Sequence, residues 1–394
     1  MRFEFCNPTR ILFGCGMLER LGREAATLGR RALLVIGGGS VRRNGTLDRA
    51  LKTLGAAGVS VELFEGIEPN PRLPTVLRGA EVAKNARADL VIALGGGSVM
   101  DAAKVIAAIP FYEGDPWDMI HHGQERPRPP KRALPILTVP TLAATGSEMN
   151  DGAVITNPDT VEKSYVIAPC LYPKVAIVDP ELTVTVPPDQ TAYGIADLVT
   201  HVTESYFNGA DETPLQDAMA EGVVRVALEY GPLAVRDGSD LVAREQVQWA
   251  SVVALNGWVQ AGTAAPFPVH QIEHVLSAHH DIPHGAGLAV VSPAWMRVAC
   301  EARPARFVQF ATRIFGLPGR SAEDLDTARA GIDRLEAFFR ALGCPTRLSD
   351  VRIGREHLEQ YAQDAIRVGG DGRALPGRPP MTLRDVLRVL ETAA

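Results

Sequence analysis

Cysteine is scarce in this 394-residue chain. Its five cysteines (Cys6, Cys15, Cys170, Cys300, Cys344) are odd in number, scattered, and form no CxxC pair. That argues against a thiolate zinc site and against a disulfide framework, and it fits a reduced, cytoplasmic setting. Long apolar runs are also missing. The best stretch, 286–296, contains Ser292 and Pro293 and falls short of the ~18 residues that a membrane span requires. The first eight residues lack the apolar core of a secretory signal. Nor is there a basic surplus: 40 Lys and Arg stand against 46 Asp and Glu, a net charge of −6. A general nucleic-acid binder is thereby excluded, while a local anion site is not. No solenoid-type repeat or low-complexity stretch occurs, and the length suits two domains.

What is present begins with strand–helix alternation. Short apolar runs at 32–36, 59–64, 90–94 and 133–140 read as strands. Helical spacing separates them at 45–54, 74–84 and 99–109. This alternation predicts a parallel sheet covered on both faces. The character changes near 179–188. Beyond Pro187-Pro188 helical patterns dominate, at 190–208, 214–230, 240–259, 269–278, 287–300 and on to the C-terminus. The expected fold is therefore α/β, with an N-terminal Rossmann-like parallel-sheet domain (1–185) followed by an all-helical domain (186–394).

Histidine carries the first chemical signal. Asp197 and His201 stand at i and i+4 on one expected helix, and His270 and His274 repeat that spacing on another. His284 follows in Pro-His-Gly. One carboxylate with several imidazoles suits Fe²⁺, Zn²⁺ or Mn²⁺. Fewer than a full shell of protein ligands would leave room for a substrate oxygen. His279 and His280 read as solvated or packing residues; His121, His122 and His357 belong to no constellation. Glycine carries the second signal. Gly37-Gly38-Gly39-Ser40 and Gly95-Gly96-Gly97-Ser98 each end an expected strand and open a helix, a setting in which backbone N–H groups can approach a phosphate. The pattern is not GxGxxG. A hydroxyl-rich loop, 138–148, follows the last expected strand. Asn150, Trp258 and Phe267 neighbour these motifs in sequence and are candidate pocket residues, though a structural role is the simpler reading.

Four segments occur together and in order: Gly95 to Lys104, Thr145-Gly146-Ser147-Glu148, Gly194 to His201, and His270-x3-His274-x9-His284-Gly285. In this combination the chain resembles the iron-containing (group III) alcohol dehydrogenase family. The opening 5–14 and Ala254-Leu255-Asn256-Gly257 resemble its butanol dehydrogenase and NADPH-dependent aldehyde reductase branch. The resemblance implies a dehydroquinate synthase-like architecture. It implies an enzyme interconverting aldehydes and primary alcohols, with NADP(H) and Fe²⁺ or Zn²⁺ as cofactors, working as a homodimer. It implies metal ligands at Asp197, His201, His270 and His284, with His274 beside the nicotinamide and substrate. Gly95, Gly96, Gly97, Ser98 and Asp101 would hold the diphosphate and its ribose. Thr138, Thr141 and Thr145 would line the cleft, and Lys163 would reach the cofactor.

The first turn bears on the coenzyme. Relatives that prefer NAD tend to carry an acidic residue where this chain has Gly39. Here Gly39, Ser40, Arg42 and Arg43 leave a gap, a hydroxyl and cations, which suits a 2′-phosphate. Leu142 departs from the family's usual threonine. Two other readings remain: a metal- and nucleotide-dependent lyase of the dehydroquinate synthase type, disfavoured by the Asp197–His201 pair, and a non-catalytic sensor on the same scaffold.

Overall fold

The structure, a computed structural model, describes residues 2–121, 123 and 127–394. His122, for which the sequence offers no partner, lies outside the described residues. The first part of the chain runs β1 (Arg10–Phe13), α1 (Leu21–Ala26), β2 (Arg31–Gly37), α2 (Ser40–Arg43), α3 (Thr46–Ala56), β3 (Ser60–Ile67), α4 (Leu73–Asn85), β4 (Leu90–Gly95), α5 (Gly97–Ala108), β5 (Ile136–Pro140), β6 (Gly152–Asn157), β7 (Glu162–Ile167) and β8 (Val175–Val178). Six of these strands form one sheet in the order β1-β8-β5-β4-β2-β3, parallel throughout. Its central strands are apolar on both faces because helices cover both: Leu33 to Ile36 and Leu90 to Leu94 are fully buried. Every residue of α5 except Ser98 is buried, so this helix has no solvent face, and its two charged residues, Asp101 and Lys104, are buried with the rest.

From β2 the chain steps one way to β3, then back across β2 to β4. The order reverses between these neighbours, and ligands bind at such a switch point, beyond the carboxyl ends of the strands. Ile36 lies opposite Leu94. The two Gly-Gly-Gly-Ser turns therefore end adjacent strands, and an echo 58 positions apart in sequence (95 against 37) is a neighbour relation in space.

The structure departs from the sequence reading in several places. β1 and β8, each four residues long, carry no alternation to reveal them. They pair with each other from Arg10↔Val175 to Phe13↔Val178. β5 begins at Ile136 rather than 133, since Pro135 precedes it. The β6–β7 hairpin is antiparallel, from Gly152↔Ile167 to Asn157↔Glu162. Its turn closes through Val161 at φ +53°, a region that β-branched residues rarely enter.

The second part runs α6 (Pro188–Asn208), α7 (Pro214–Arg236), α8 (Leu241–Leu255), α9 (Pro268–His280), α10 (His284–Ala299), α11 (Pro304–Phe315), α12 (Leu325–Ala341), α13 (Leu358–Gly369) and α14 (Leu383–Ala393). It is helical, with one correction to the all-helical expectation. A small antiparallel pair, β9 (Ala374–Leu375) and β10 (Met381–Thr382), stands between α13 and α14. α8 stops at Leu255, where Gly257 takes φ +96°. One apolar core spans this region, from Ile195 and Val199 of α6 to Trp295 of α10 and Leu390 of α14. From Gly194 to Asn208 every residue of α6 is buried. Among the described residues no helix is long and apolar enough to cross a membrane.

Candidate metal centre and nucleotide cleft

A helix buried all round should be apolar, yet α6 carries Asp197, His201 and Glu204. They lie at i, i+4 and i+7, on one stripe. α9 brings His270, Glu273 and His274 to the same place, and α10 opens with His284. These helices meet closely because Gly285 has no side chain: a Cβ there would overlap the carbonyl oxygen of Tyr193 in α6.

The ligating atoms converge. Asp197 Oδ1 lies 3.5 Å from His201 Nδ1, 3.8 Å from His270 Nε2 and 3.8 Å from His284 Nε2. Two ligands of one ion, each about 2.1 Å from it at a tetrahedral angle, stand roughly 3.4 Å apart. Asp197 Oδ1, His201 Nδ1 and His270 Nε2 are buried and find no hydrogen-bond partner among the described residues. Buried polar atoms are ordinarily satisfied. A shared cation would satisfy all of these atoms, so the residues fit a divalent metal.

The outer nitrogens are occupied. His270 Nδ1 bonds Glu204, and His284 Nδ1 bonds Glu273. With a cation in the centre, each ring would donate N–H to its carboxylate and present its Nε2 lone pair inward, the usual support for a ligating imidazole. The electrostatics favour a positive charge at the centre. Burial works against the charge of Asp197, but three imidazoles outweigh it and hold the carboxyl at about 2. Burial, with His270 and His284, keeps His201 neutral at about 3, despite Asp197. At His270 burial is outweighed by Glu204 and Asp197, and its value rises to about 9.

Other sequence-selected residues fall into place around this centre. His274 is buried, with neither ring nitrogen partnered among the described residues; its ring centroid lies 5.6 Å from that of His284. Burial, with the nearby Lys163 ammonium, holds His274 well below the usual imidazole range. Phe267 packs its ring on His270 and His201, at 5.5 and 6.4 Å between centroids. Asn150 accepts from Lys104 at 3.0 Å and so braces a loop, whereas Trp258 is 40% exposed. His279 pairs with Asp364 and His280 with Tyr361. His357 sits by Tyr361, and His121 stacks on Tyr165. Lys163 is not a surface residue. It is buried, with its ammonium 2.9 Å from Asn70 Oδ1 and 3.3 Å from Glu273 Oε2.

Across from the centre lies the switch point with its two turns. Gly95 ends β4, and Gly97 and Ser98 open α5, whose N-terminus favours an anion. A Cβ at Gly97 would overlap the Thr145 side chain, so the turn and the hydroxyl loop are packed together. Thr141 N–H bonds Gly95 O at 3.0 Å. Thr138 is fully buried in β5, and its hydroxyl has no partner among the described residues. Asp101 uses both carboxylate oxygens on the protein, accepting from Ser147 Oγ (2.6 Å) and Val154 N–H (2.9 Å). It braces the loop from beneath instead of standing open in the turn. Gly37, Gly38, Gly39 and Ser40 form the first turn. Gly39 has φ +100° and Gly38 faces open space. Arg43 lies over Gly39, but Arg42 is paired with Glu65 at 2.6 Å on the surface. Arg42 is therefore not the available cation that the sequence suggests.

Sequence reasoning missed Glu204, Glu273 and Asn70. The first two carried a signal, since Glu204 lies seven residues after Asp197 and Glu273 lies between two histidines of one helix. Asn70 carried none.

The iron-containing alcohol dehydrogenase family model matches residues 8–180, and the model for the C-terminal part of that family matches 191–394. A probable NADH-dependent butanol dehydrogenase of Bacillus subtilis is 42% identical over 391 residues, 99% of each chain. The NADPH-dependent aldehyde reductase YqhD of Escherichia coli is 37% identical over 351 residues, 88% of each. The crystal structure of an NADH-dependent butanol dehydrogenase A from Thermotoga maritima superposes with a TM-score of 0.93 at 37% identity, over 100% of this chain and 98% of that one.

Proposed function

This chain belongs to the iron-containing alcohol dehydrogenase family, and on that premise we propose that it is a metal-dependent oxidoreductase interconverting aldehydes and primary alcohols with NADP(H). The observation that carries the reading is the cluster of unpartnered, buried ligand atoms around Asp197, facing the switch point of a Rossmann-like sheet. We divide the chain at 185/186, between the end of β8 and the start of α6. Asp197, His201, His270 and His284 are the residues that would hold a divalent ion, Fe²⁺ or Zn²⁺. The residues that would hold the nucleotide are Gly37 to Ser40, Gly95 to Ser98, Thr138, Thr141, Thr145 and Lys163, with Asp101 acting from beneath. A divalent ion in that centre supplies Lewis acidity toward a carbonyl oxygen, and a nicotinamide supplies hydride chemistry.

The chain's own residues do the rest. Glu204 and Glu273 fix the tautomer and direction of His270 and His284. Phe267 covers one side of two imidazoles and keeps water from them. His274, neutral at pH 7, is the group we assign to proton passage: one ring nitrogen accepts while the other gives. Packed contacts between α6, α9 and α10 hold these groups without loops, which favours a preorganised site.

NADP(H) is the finer part of the reading. Gly39 and Ser40 support it, since no carboxylate stands at that turn to repel a 2′-phosphate. Relatives named for NADH and for NADPH both match this chain, so the coenzyme is the part most worth testing. A cytoplasmic homodimer completes the proposal, checked by light scattering of the purified chain. The test of function is the loss of NADPH and, separately, NADH absorbance with a short-chain aldehyde, with and without chelator. Turnover that is abolished by chelator and faster with NADPH supports the reading. Chelator-insensitive turnover, or none with either coenzyme, overturns it.

A further inference from the structure

α9 begins on a residue that cannot cap it. Its N-cap is Phe267, which makes no side-chain hydrogen bond to the helix, where Ser, Thr, Asp or Asn is the ordinary choice. The cap comes from another helix instead: Glu204 of α6 accepts the Val269 N–H at 2.6 Å. Pro268, at the first helical position, has no N–H to satisfy. The N-cap position is thereby released from its usual task. The ring it carries lies against His270 and His201, with centroids 5.5 and 6.4 Å away.

We propose that Phe267 is a specificity-determining residue: its ring is the apolar wall of the substrate site, and it selects unbranched aldehydes over those branched next to the carbonyl. The inference rests on the reading of the chain as a metal-dependent oxidoreductase of aldehydes and names which aldehydes the site takes.

Position, exposure and rigidity support it. Phe267, His270 and His274 stand at i, i+3 and i+7, on one stripe. His274, at one end of the stripe, lies toward the Lys163 ammonium of β7. Phe267, at the other end, is apolar. An aldehyde has the same asymmetry, so a carbonyl at the ligand cluster sets its carbon chain against the ring. Asp197, His201, Glu204, His270 and His274 are all buried, whereas Phe267 is half-buried. Part of its ring is therefore open to contact, as the lining of a ligand pocket must be. The loop that carries it, 256–267, is pinned from α6 and α7. The Ala210 N–H bonds Thr263 O at 3.0 Å, and Gln216 Nε2 donates to Ala261 O at 2.7 Å. Gln260 Nε2 donates to Ser205 Oγ at 3.1 Å. The proline that follows restricts the backbone of Phe267 itself. A ring on so fixed a backbone cannot withdraw from a bulky substrate, and an apolar pocket discriminates about tenfold or more for a single methylene-sized group.

The test compares kcat/KM for butanal and pivalaldehyde in wild type, Phe267→Ala and Phe267→Leu, with zinc content measured on the same samples. A ratio of two substrates does not depend on the fraction of active protein, so partial loss of fold or metal cannot imitate the result. Wild type should prefer butanal, and Phe267→Ala should reduce that preference by at least about tenfold. Phe267→Leu should reduce it less, and carries the test if Phe267→Ala does not fold. A second readout needs no turnover: the visible absorption of cobalt-loaded protein, titrated with neopentyl alcohol. Its dissociation constant should tighten about tenfold in Phe267→Ala, with a smaller change for n-butanol. An unchanged preference in both variants overturns the proposal. Zinc loss with unchanged preference marks a shield over the imidazoles and also overturns it. If wild type reduces both aldehydes equally well, the wall is misread while the reading of function stands. If wild type reduces neither aldehyde with either coenzyme, the reading of function falls, and the alcohol titration alone decides the wall.

Discussion

The same tetrapeptide, Gly-Gly-Gly-Ser, ends two neighbouring strands, and the two copies live in opposite surroundings. At 95–98 the turn leads into a twelve-residue helix that is buried nearly throughout. Beneath it Lys104 donates to Ser147 Oγ (2.8 Å), Asn150 Oδ1 (3.0 Å) and Gly152 O (2.7 Å). At 37–40 the turn leads into a four-residue helix, with Gly38 and Ser40 exposed and Arg42 engaged at the surface. One turn is fixed by what lies under it, while the other is left open. A motif therefore specifies a backbone path, and burial decides whether that path is rigid or adaptable. A rigid turn suits the part of a dinucleotide that never varies, and an open one suits the part that differs between coenzymes.

Four substitutions can break or sharpen this contrast. Lys104→Met strips the second turn of its buried support and should destabilise the fold by on the order of 3 kcal/mol, read from urea denaturation. A loss below about 1 kcal/mol would mean that the network carries little. Gly97→Ala should cost about 1–3 kcal/mol, because its Cβ overlaps Thr145. Gly38→Ala, with open space around it and no left-handed φ, should be neutral or stabilise by up to about 1 kcal/mol. Equal losses would erase the contrast. Gly39→Asp should shift kcat/KM preference from NADP toward NAD by at least about tenfold, or 1.4 kcal/mol. An unchanged ratio would remove the first turn from coenzyme choice.

The last prediction is a slope. Burial pushes Glu148, in the loop packed on the second turn, from 4.5 up to about 7, against its own backbone hydrogen bond and Lys104. The folded chain keeps this proton between pH 4.5 and 7, where the unfolded chain has lost it. Its contribution is full below pH 4.5 and is lost as pH rises through about 7. Stability should fall across that window by up to about 1.4 kcal/mol per pH unit, and Glu148→Gln should flatten the fall.

Legibility in the sequence followed the same divide. β2 and β4 were readable because strands buried on both faces are continuous apolar runs. β1 and β8 are too short for any period to show. Asp197–His201 and His270–His274 stood out because helical period places i and i+4 together, and the structure brings Asp197, His201 and His270 within 4.8 Å. Glu204 and Glu273 sat on the same helices at readable offsets but were masked by the histidines. Lys163 and Asn70 were beyond reach in this respect: their partners come from other elements far along the chain, and no local pattern encodes such a meeting. Arg42 misled because its partner, Glu65, comes from the adjacent strand.

One peptide unit has a larger role than its size suggests. The carbonyl of Ala143, in the nucleotide loop, abuts Gly194, and the carbonyl of Tyr193 abuts Gly285, next to His284. Three backbones are stacked there with no side chain between them. Bond lengths in a peptide plane do not adjust as rotamers do. The spacing between the nucleotide loop and a metal ligand is therefore set by covalent dimensions, a gauge block one peptide thick, and thermal motion of side chains elsewhere has little purchase on it.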